Sequence, residues 1–194
     1  MLTKREILRK TIHLSSILII FLDSFIGQEI IIYFLLSVTL IYTISEFLRV
    51  KNKFHTPLIS DLTEYCSTNS EKKDYVYAPL FLATSILILL IFFDNPHTYL
   101  GIVSLGLGDA VASLIGKKYG KKKIFYNKKK TLEGSFSMFL VVFLGSFLII
   151  QHVFTSLIIG LFVTFIESLS NESIDNLTIP FSLIVLITFI EKFL

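Results

Sequence analysis

The residues best suited to chemistry lie in one block, residues 108–135, which reads GDAVASLIGKKYGKKKIFYNKKKTLEGS. The block opens with Asp109 at the end of a hydrophobic segment, continues with eight lysines between residues 117 and 130, and closes with Glu133 before Gly-Ser. Carboxylates bind Mg²⁺ together with substrate phosphates, and lysines neutralise phosphate charge. The block therefore predicts a site for a phosphate-bearing substrate and its metal.

Three further polar residues, His13, Glu46 and Glu167, lie near the ends of other apolar segments. A charge within a membrane helix costs a few kcal/mol even on lenient scales. Interfacial pairing with a nearby lysine would explain any one of these residues. Four separate segments that place an acid or a histidine at the same depth favour a common site.

The composition predicts that these residues are held by membrane helices. The chain has 194 residues, of which 53% are hydrophobic, and a mean hydropathy of +0.73. A soluble domain this apolar would lack polar surface, so we expect one all-α integral membrane domain, residues 1–194, with about seven transmembrane helices. The expected spans are residues 11–27, 29–48, 76–93, 97–116, two spans within 134–169 that meet at Gln151-His152, and 178 to the C-terminus. The single cysteine, Cys66, excludes an intramolecular disulfide.

The distribution of lysine and arginine predicts the orientation. Basic residues precede the first span and follow the second and fourth, whereas the loops at residues 24–28, 94–96 and 151–152 contain neither Lys nor Arg. Positive loops stay in the cytoplasm. We therefore expect a cytoplasmic N-terminus, an outward C-terminus and a basic cytoplasmic loop at residues 117–133. The acids and His13 then fall on the same cytoplasmic face without having been used to assign it.

Motifs of soluble nucleotide-binding folds do not fit this block. A P-loop requires G-x-x-x-x-G-K-[ST], but Gly116 and Gly120 enclose only three residues, and Lys122 stands where Ser or Thr is needed. The Gly-rich kinase loop is also absent, and Gly106-Leu107-Gly108 is better explained as a helix-packing patch.

The block does resemble the signature of the membrane polyprenol kinase family, which includes dolichol, phytol and farnesol kinases and a CTP-dependent diacylglycerol kinase. The family pattern is roughly G-D-x-x-A-x-x-x-G-x-x-x-G, a spacer, and K-[ST]-x-E-G-[ST]. The matching residues are Gly108, Asp109, Ala112, Gly116, Gly120, Lys130, Thr131, Glu133, Gly134 and Ser135.

Three other segments resemble family motifs in the same order along the chain. They are Arg9-Lys10-x-x-His13, Glu46-x-x-Arg49, and Glu167 followed by Asp175-Asn176-x-x-x-Pro180. The resemblance thus covers essentially the whole chain. It implies transfer of the γ-phosphate of a nucleoside triphosphate, usually CTP, to a lipid alcohol such as dolichol, with Mg²⁺ or another divalent cation. The implied partners are these substrates and membrane lipids, without nucleic acid, in a prokaryotic plasma membrane or the ER.

The resemblance also suggests roles for individual residues. Asp109 would bind Mg²⁺ or accept the alcohol proton, and Lys130 would bind phosphate. Glu133 and Glu167 would complete a metal site or orient Lys130. The remaining candidates for nucleotide or phosphate binding are Gly116, Gly120, Thr131, Gly134, Ser135, Asp175, Asn176, Arg9 and His13, with Glu46 and Arg49 as further site residues. Plain helix capping remains an alternative for Thr131 and Asp175, and anchoring at the membrane interface for Arg9 and His13.

Two other classes of protein are alternatives. A CTP-dependent cytidylyltransferase of phosphatidate-like lipids shares the nucleotide and the membrane, but its P-G-H-G-G-x-x-D-R element is missing. A small transporter would place polar groups near the bilayer centre, often within internal repeats. The centres of these spans are almost wholly apolar. The identity of the alcohol, the choice of CTP over ATP and the oligomeric state stay open.

Overall fold

The computed structural model describes residues 3–51, 54–67, 74–171 and 174–193, and helices account for most of them. The all-α prediction is confirmed. The helices are α1 Lys4–Ser15, α2 Leu18–Ile26, α3 Gln28–Val50, α4 Ile59–Cys66, α5 Ala78–Phe92, α6 Asn95–Ile102, α7 Asp109–Tyr119, α8 Leu132–Ile150, α9 Val153–Leu169 and α10 Asp175–Phe193. A π-helical segment, Val103–Gly108, joins α6 to α7, so that Asn95–Tyr119 is one continuous helix.

Three of the described helices are long and apolar enough to cross a membrane, namely α3, the continuous helix Asn95–Tyr119, and α8. Apolar stretches of α5, α9 and α10 are shorter, at 10–17 residues. Large apolar side chains are common on the outside, and Phe25 is 84% exposed. Exposed apolar surface on this scale indicates contact with lipid or another apolar partner.

The first predicted span, residues 11–27, is wrong as a single helix. The chain forms α1 and α2 with a break at Ser16-Ile17, and neither helix alone reaches membrane-spanning length. Ser16 donates hydrogen bonds from its amide and its Oγ to the His13 carbonyl. Gly106 lies against this break, because a Cβ on Gly106 would sit 2.1 Å from Ser16 Oγ. The π-helical segment therefore packs onto the break, and the predicted packing role of Gly106 is confirmed.

The predicted hairpin at Gln151-His152 is confirmed. Gln151 ends α8 in the left-handed conformation, with φ of 58°. The His152 side chain then caps α9 by accepting a hydrogen bond from the Thr155 amide. The two caps reverse the chain, so that α9 runs back along α8.

The last helix begins three residues earlier than predicted, at Asp175, so Pro180 lies inside it rather than in its first turn. Proline has no amide hydrogen, and the carbonyl four residues before it loses its helical donor. That carbonyl belongs to Asn176, and it accepts a hydrogen bond of 2.7 Å from Ser85 Oγ instead. The side chain of Asn176 donates to the Ala78 carbonyl at 3.1 Å. Both bonds join the start of α10 to α5.

Candidate active site

A polar cleft opens where α1, α7, α9 and α10 meet the segment before α8. Four lysines and three carboxylates line it, together with small residues. The charged residues are Lys10, Lys117, Lys129, Lys130, Asp109, Glu167 and Asp175. The cleft thus unites parts of the chain that are more than 160 residues apart in sequence, and it carries one more cation than anion.

Asp109 is the most deeply placed acid in the cleft, and its side chain is only 1% exposed. Its Oδ2 accepts a hydrogen bond of 2.5 Å from Lys10 Nζ and lies 3.5 Å from His13 Nδ1. The π-helical segment ends immediately before it, and the Asp109 amide donates to the Ser104 carbonyl five residues earlier. A π turn changes the direction in which the following side chains point and often occurs at functional sites. The local backbone thus supports a functional role for Asp109.

Lys130 is the central cation of the cleft. Its Nζ lies 2.5 Å from Glu167 Oε1 and 3.4 Å from Asp175 Oδ2. Burial alone would lower the pKa of Lys130, but the charges of Glu167, Asp175 and Asp109 hold that pKa above its ordinary value. The lysine is therefore charged throughout the neutral pH range. The prediction that Glu167 orients Lys130 agrees with this geometry.

Residues 120–131, which we call the lysine hairpin, carry Lys130 into the cleft. The Ile124 amide donates to the Lys130 carbonyl, and Lys123 and Thr131 form an antiparallel bridge. Asn127 at the tip donates from Nδ2 to two carbonyls at the end of α9, those of Ser168 at 3.0 Å and Ser170 at 3.1 Å. The hairpin is thus fixed at its base and at its tip, which gives Lys130 a defined position.

Glu133 lies outside the cleft lining, although it was predicted as a catalytic residue. Its Oε1 accepts hydrogen bonds from the amides of Lys121 at 3.0 Å and Lys122 at 3.2 Å. The amide of Leu132 donates to the Lys122 carbonyl beside them. Glu133 therefore ties the start of the lysine hairpin to the start of α8 and acts as a positioning residue.

The motif glycines mainly permit close packing of α7 against α8. A Cβ on Gly134 would lie 2.8 Å from the Ala112 carbonyl oxygen and 3.2 Å from Gly116 Cα. A Cβ on Gly120 would lie 2.2 Å from the Gly116 carbonyl oxygen. Gly116 and Gly134 also line the cleft, whereas Gly120 does not belong to the lining. Only the close approach of these backbones brings Asp109 on α7 near Lys130 before α8.

Thr131 caps α8, since its Oγ1 accepts a hydrogen bond of 3.2 Å from the Gly134 amide. The Leu132 amide is also satisfied within the protein. The helix start is therefore less open to an anion than the motif predicted. Thr131 caps the helix and also lines the cleft, so its phosphate contact stays a prediction. Ser135 lines the cleft one turn further on, and its Oγ is buried without a hydrogen-bond partner in the described part of the chain.

Four predicted site residues lie away from the cleft. Arg49 makes a bidentate pair with Glu46, with both N–O distances 2.7 Å, and Glu46 also accepts a bond from the Val76 amide. Both side chains are buried, and the bond from the Val76 amide holds the segment before α5 against α3. Asn176 binds α5 as described above, and Arg9 lines a second cavity beside His13. These four residues therefore do not line the cleft that contains Asp109 and Lys130.

Comparison with known proteins shows which family this cleft belongs to. The chain is 32% identical over 182 residues to an uncharacterized protein of Methanocaldococcus jannaschii, covering 91% of this chain and 90% of that protein. It is 27% identical over 213 residues to phytol kinase 1 of Arabidopsis thaliana, covering 95% of this chain and 68% of the relative. The chain belongs to the polyprenol kinase family. The farnesol kinase of the same plant is 28% identical over 130 residues, which covers 58% of this chain and 42% of the relative. No family model and no solved structure matches the chain.

The cleft of this family member leaves selected oxygens available for a ligand. Asp109 Oδ1 and Glu167 Oε2 are buried without hydrogen-bond partners among the described residues. Within the described ranges, no three His, Cys, Asp or Glu side chains cluster tightly enough to hold a metal by themselves. Mg²⁺ commonly takes one or two carboxylates and completes its shell with phosphate and water. The donor set therefore fits a metal that arrives with a nucleotide and not a fully protein-bound ion.

Ser113, Lys117 and Lys129 line the cleft without having been predicted individually, and two further residues, Lys10 and Asn127, were also missed. Lys10, the partner of Asp109, stands in the Arg9-Lys10-x-x-His13 motif, but we predicted its neighbours instead. Its spacing of three from His13 places both on one helical face, which was the available signal. Asn127 lies among lysines that drew the functional interpretation, and its contact with α9 depends on tertiary structure, so the sequence did not identify it.

Proposed function

We propose that this chain is a membrane lipid-alcohol kinase that transfers the γ-phosphate of a nucleoside triphosphate, CTP by family resemblance, to an isoprenoid alcohol. The observation that carries the proposal is the meeting of Asp109 and Lys130 in one cleft with Lys10 and Glu167. These residues come from separate motifs, and the chain is similar in sequence to relatives named phytol kinase and farnesol kinase. Their names favour phytol, farnesol or a related isoprenoid alcohol as acceptor, and dolichol is a longer alternative.

The proposed membrane arrangement has seven crossings with a cytoplasmic N-terminus. The first crossing would be made by α1 and α2 together, followed by α3, α5, the helix Asn95–Tyr119, α8, α9 and α10. The lysine distribution and the positive-inside rule support this orientation. The cleft and the lysine hairpin would then face the cytoplasm, where nucleotides are available.

Phosphoryl transfer depends mainly on positioning and charge stabilisation. In the proposed reaction the alcohol oxygen forms a bond to the γ-phosphorus, while the bond from that phosphorus to the β–γ bridging oxygen breaks. The hydroxyl proton passes to Asp109 Oδ1, and a nucleoside diphosphate leaves. Lys10 and Lys130, each beside a buried carboxylate, would exchange part of that contact for phosphate oxygens and stabilise their charge.

Mg²⁺, when bound, would supply additional charge neutralisation at the phosphates. Glu167 is the residue placed to hold it, through Oε2, which has no other partner in the described structure. Glu167 Oε1 meanwhile fixes Lys130. One carboxylate would thus align the metal with the lysine that contacts the same phosphates.

A phosphotransfer assay tests the proposal. Purified protein in mixed micelles with Mg²⁺ is given labelled CTP or ATP and either phytol, farnesol, dolichol, diacylglycerol or phosphatidate, with Asp109→Asn in parallel. We expect an isoprenoid monophosphate from one nucleotide and its loss in Asp109→Asn. A CDP-lipid formed from phosphatidate would reassign the chain to the cytidylyltransferases. Folded protein that binds nucleotide but phosphorylates none of the alcohols would refute the kinase proposal.

A further inference from the structure

A second cavity, which we call the α1–α5 groove, lies between α1, α4 and the start of α5. Its lining is mostly apolar, with Ile12, Cys66, Val76, Ala78 and Leu82 on its walls and Arg9 and His13 as its polar residues. Apolar walls with few polar groups are typical of small-molecule sites. The chemistry of the groove therefore suits a largely apolar ligand.

The groove has one polar end, and that end touches the phosphate cleft. His13 lines the groove, and its Nδ1 lies 3.5 Å from Asp109 Oδ2, which faces the cleft. The His13 side chain is only 6% exposed and stands at the boundary of the two cavities. A molecule in the groove can thus place one polar atom against the His13 ring, which contacts Asp109, while its apolar part stays among α1, α4 and α5.

We propose that the α1–α5 groove binds the isoprenoid tail of the acceptor alcohol, with the hydroxyl at the His13 end beside Asp109. This inference rests on the proposed function and assigns its acceptor site. The occupant follows from the chemistry of the groove, because an alcohol with a single terminal hydroxyl matches a long apolar wall that has polarity at one end. Arg9 also lines the groove, so a phospholipid with its charged headgroup is the competing occupant that the experiment below includes.

Cys66 provides a direct reporter of occupancy, because it lines the groove and is the chain's only cysteine. Burial raises the pKa of its thiol, so labelling with a maleimide should be measured at mildly alkaline pH. The experiment uses the full-length protein in detergent, without nucleotide, so that no turnover is needed. Phytol is the probe, phytane is the matched hydrocarbon without a hydroxyl, and dioleoylphosphatidylcholine is the competing lipid.

We expect phytol to slow the labelling of Cys66 about tenfold at saturation, and phytane to require a higher concentration because it cannot use the polar end. Equal protection by dioleoylphosphatidylcholine at the same concentration would overturn the assignment, since the groove would then be a general lipid contact. Unchanged labelling in the presence of phytol would also overturn it.

A pair of variants tests the groove without altering the cleft. Ile12 lines the groove and is 37% exposed, whereas Ile7 lies on the same helix, is 47% exposed and does not line it. Ile12→Trp should fill the groove and raise the KM for phytol about tenfold, through loss of roughly two buried methylene contacts, with the nucleotide KM unchanged. Ile7→Trp should leave both values at wild-type levels. A normal phytol KM in folded Ile12→Trp would contradict the proposal.

The two proposals fail in different ways. Phosphorylated phytol without protection of Cys66 would reject the groove and leave the kinase intact. Protection of Cys66 without any phosphorylated product would support the groove and reject the kinase.

Discussion

Replacing Lys130 by methionine should separate catalysis from stability at this site. Lys130 Nζ is 2.5 Å from Glu167 and 3.4 Å from Asp175, and its side chain is only 13% exposed. Methionine keeps the length of the side chain but leaves two buried carboxylates without their shared cation. Removing one partner of a buried ion pair costs about 3–5 kcal/mol, part of which carboxylate protonation recovers. We therefore expect a lower unfolding temperature that improves at acidic pH, because protonation removes the repulsion.

The catalytic loss should be separate from this destabilisation. A preorganised donor that stabilises charge in the transition state contributes about 10²–10³ in kcat, or about 2.7–4 kcal/mol. Lys130→Met should lose that factor when the assay is run on folded protein well below its unfolding temperature. Lys130→Arg, which keeps the charge, should be stable and retain part of the activity.

The assay combines nucleotide-dependent phosphorylation of phytol with thermal unfolding in the same detergent. Lys128→Met is the matched control, since Lys128 is exposed on the same hairpin and does not line the cleft. It should behave as wild type in both measurements. Folded Lys130→Met with kcat within about threefold of wild type would refute the reasoning, because that lysine would then serve only to neutralise the two carboxylates.

Three further perturbations test the parts that position the cleft. Asn127→Ala should leave the carbonyls of Ser168 and Ser170 unpaired, which costs about 1–3 kcal/mol of stability. It should therefore increase tryptic cleavage in the lysine hairpin. Unchanged proteolysis would show that the tip needs no anchor. Glu46→Gln breaks a buried ion pair, so its unfolding temperature should lie well below that of Glu29→Gln, an exposed control on the same helix. The nucleotide KM should stay constant in both variants. A changed KM in Glu46→Gln would instead place Glu46 in the site. Gly134→Ala puts a methyl group 2.8 Å from a backbone oxygen, whereas the methyl group of Gly145→Ala meets the Val103 side chain. Activity should therefore fall much further in Gly134→Ala than in Gly145→Ala. Equal activities would argue that close α7–α8 packing does not determine activity.

Hydropathy was sufficient to predict the long helices, because uniform apolar runs leave few alternatives. It also predicted the α8–α9 turn, because Gln151-His152 is the only polar interruption that breaks the apolar pattern between residues 134 and 166. It was insufficient for residues 11–27, where an apolar run continues across a break. Gly106 of the helix Asn95–Tyr119 packs against that break, a contact that hydropathy does not report. The short helix α4 was also missed, since it is neither long nor uniformly apolar.

Motif matching identified the main members of the site but could not assign their contacts. Asp109, Lys130, Glu167 and Asp175 meet in the cleft. Glu133, by contrast, binds backbone amides, a role that the letter sequence K-T-x-E-G does not distinguish from catalysis. The π-helical turn before Asp109 was not predicted from the sequence.

The charged cluster draws on segments from nearly opposite ends of the chain, from Lys10 in α1 to Asp175 in α10. Because the ribosome makes α9 and α10 after the 108–135 block, a nascent chain that has produced the whole block still lacks both carboxylates that hold Lys130, Glu167 and Asp175. Helix α10 also supplies Ile179, Leu183 and Ile187 to the apolar core that α8 and α9 share. The cleft and the apolar core are therefore completed in the same late step of biosynthesis, and a chain that ends before α10 would lack part of both.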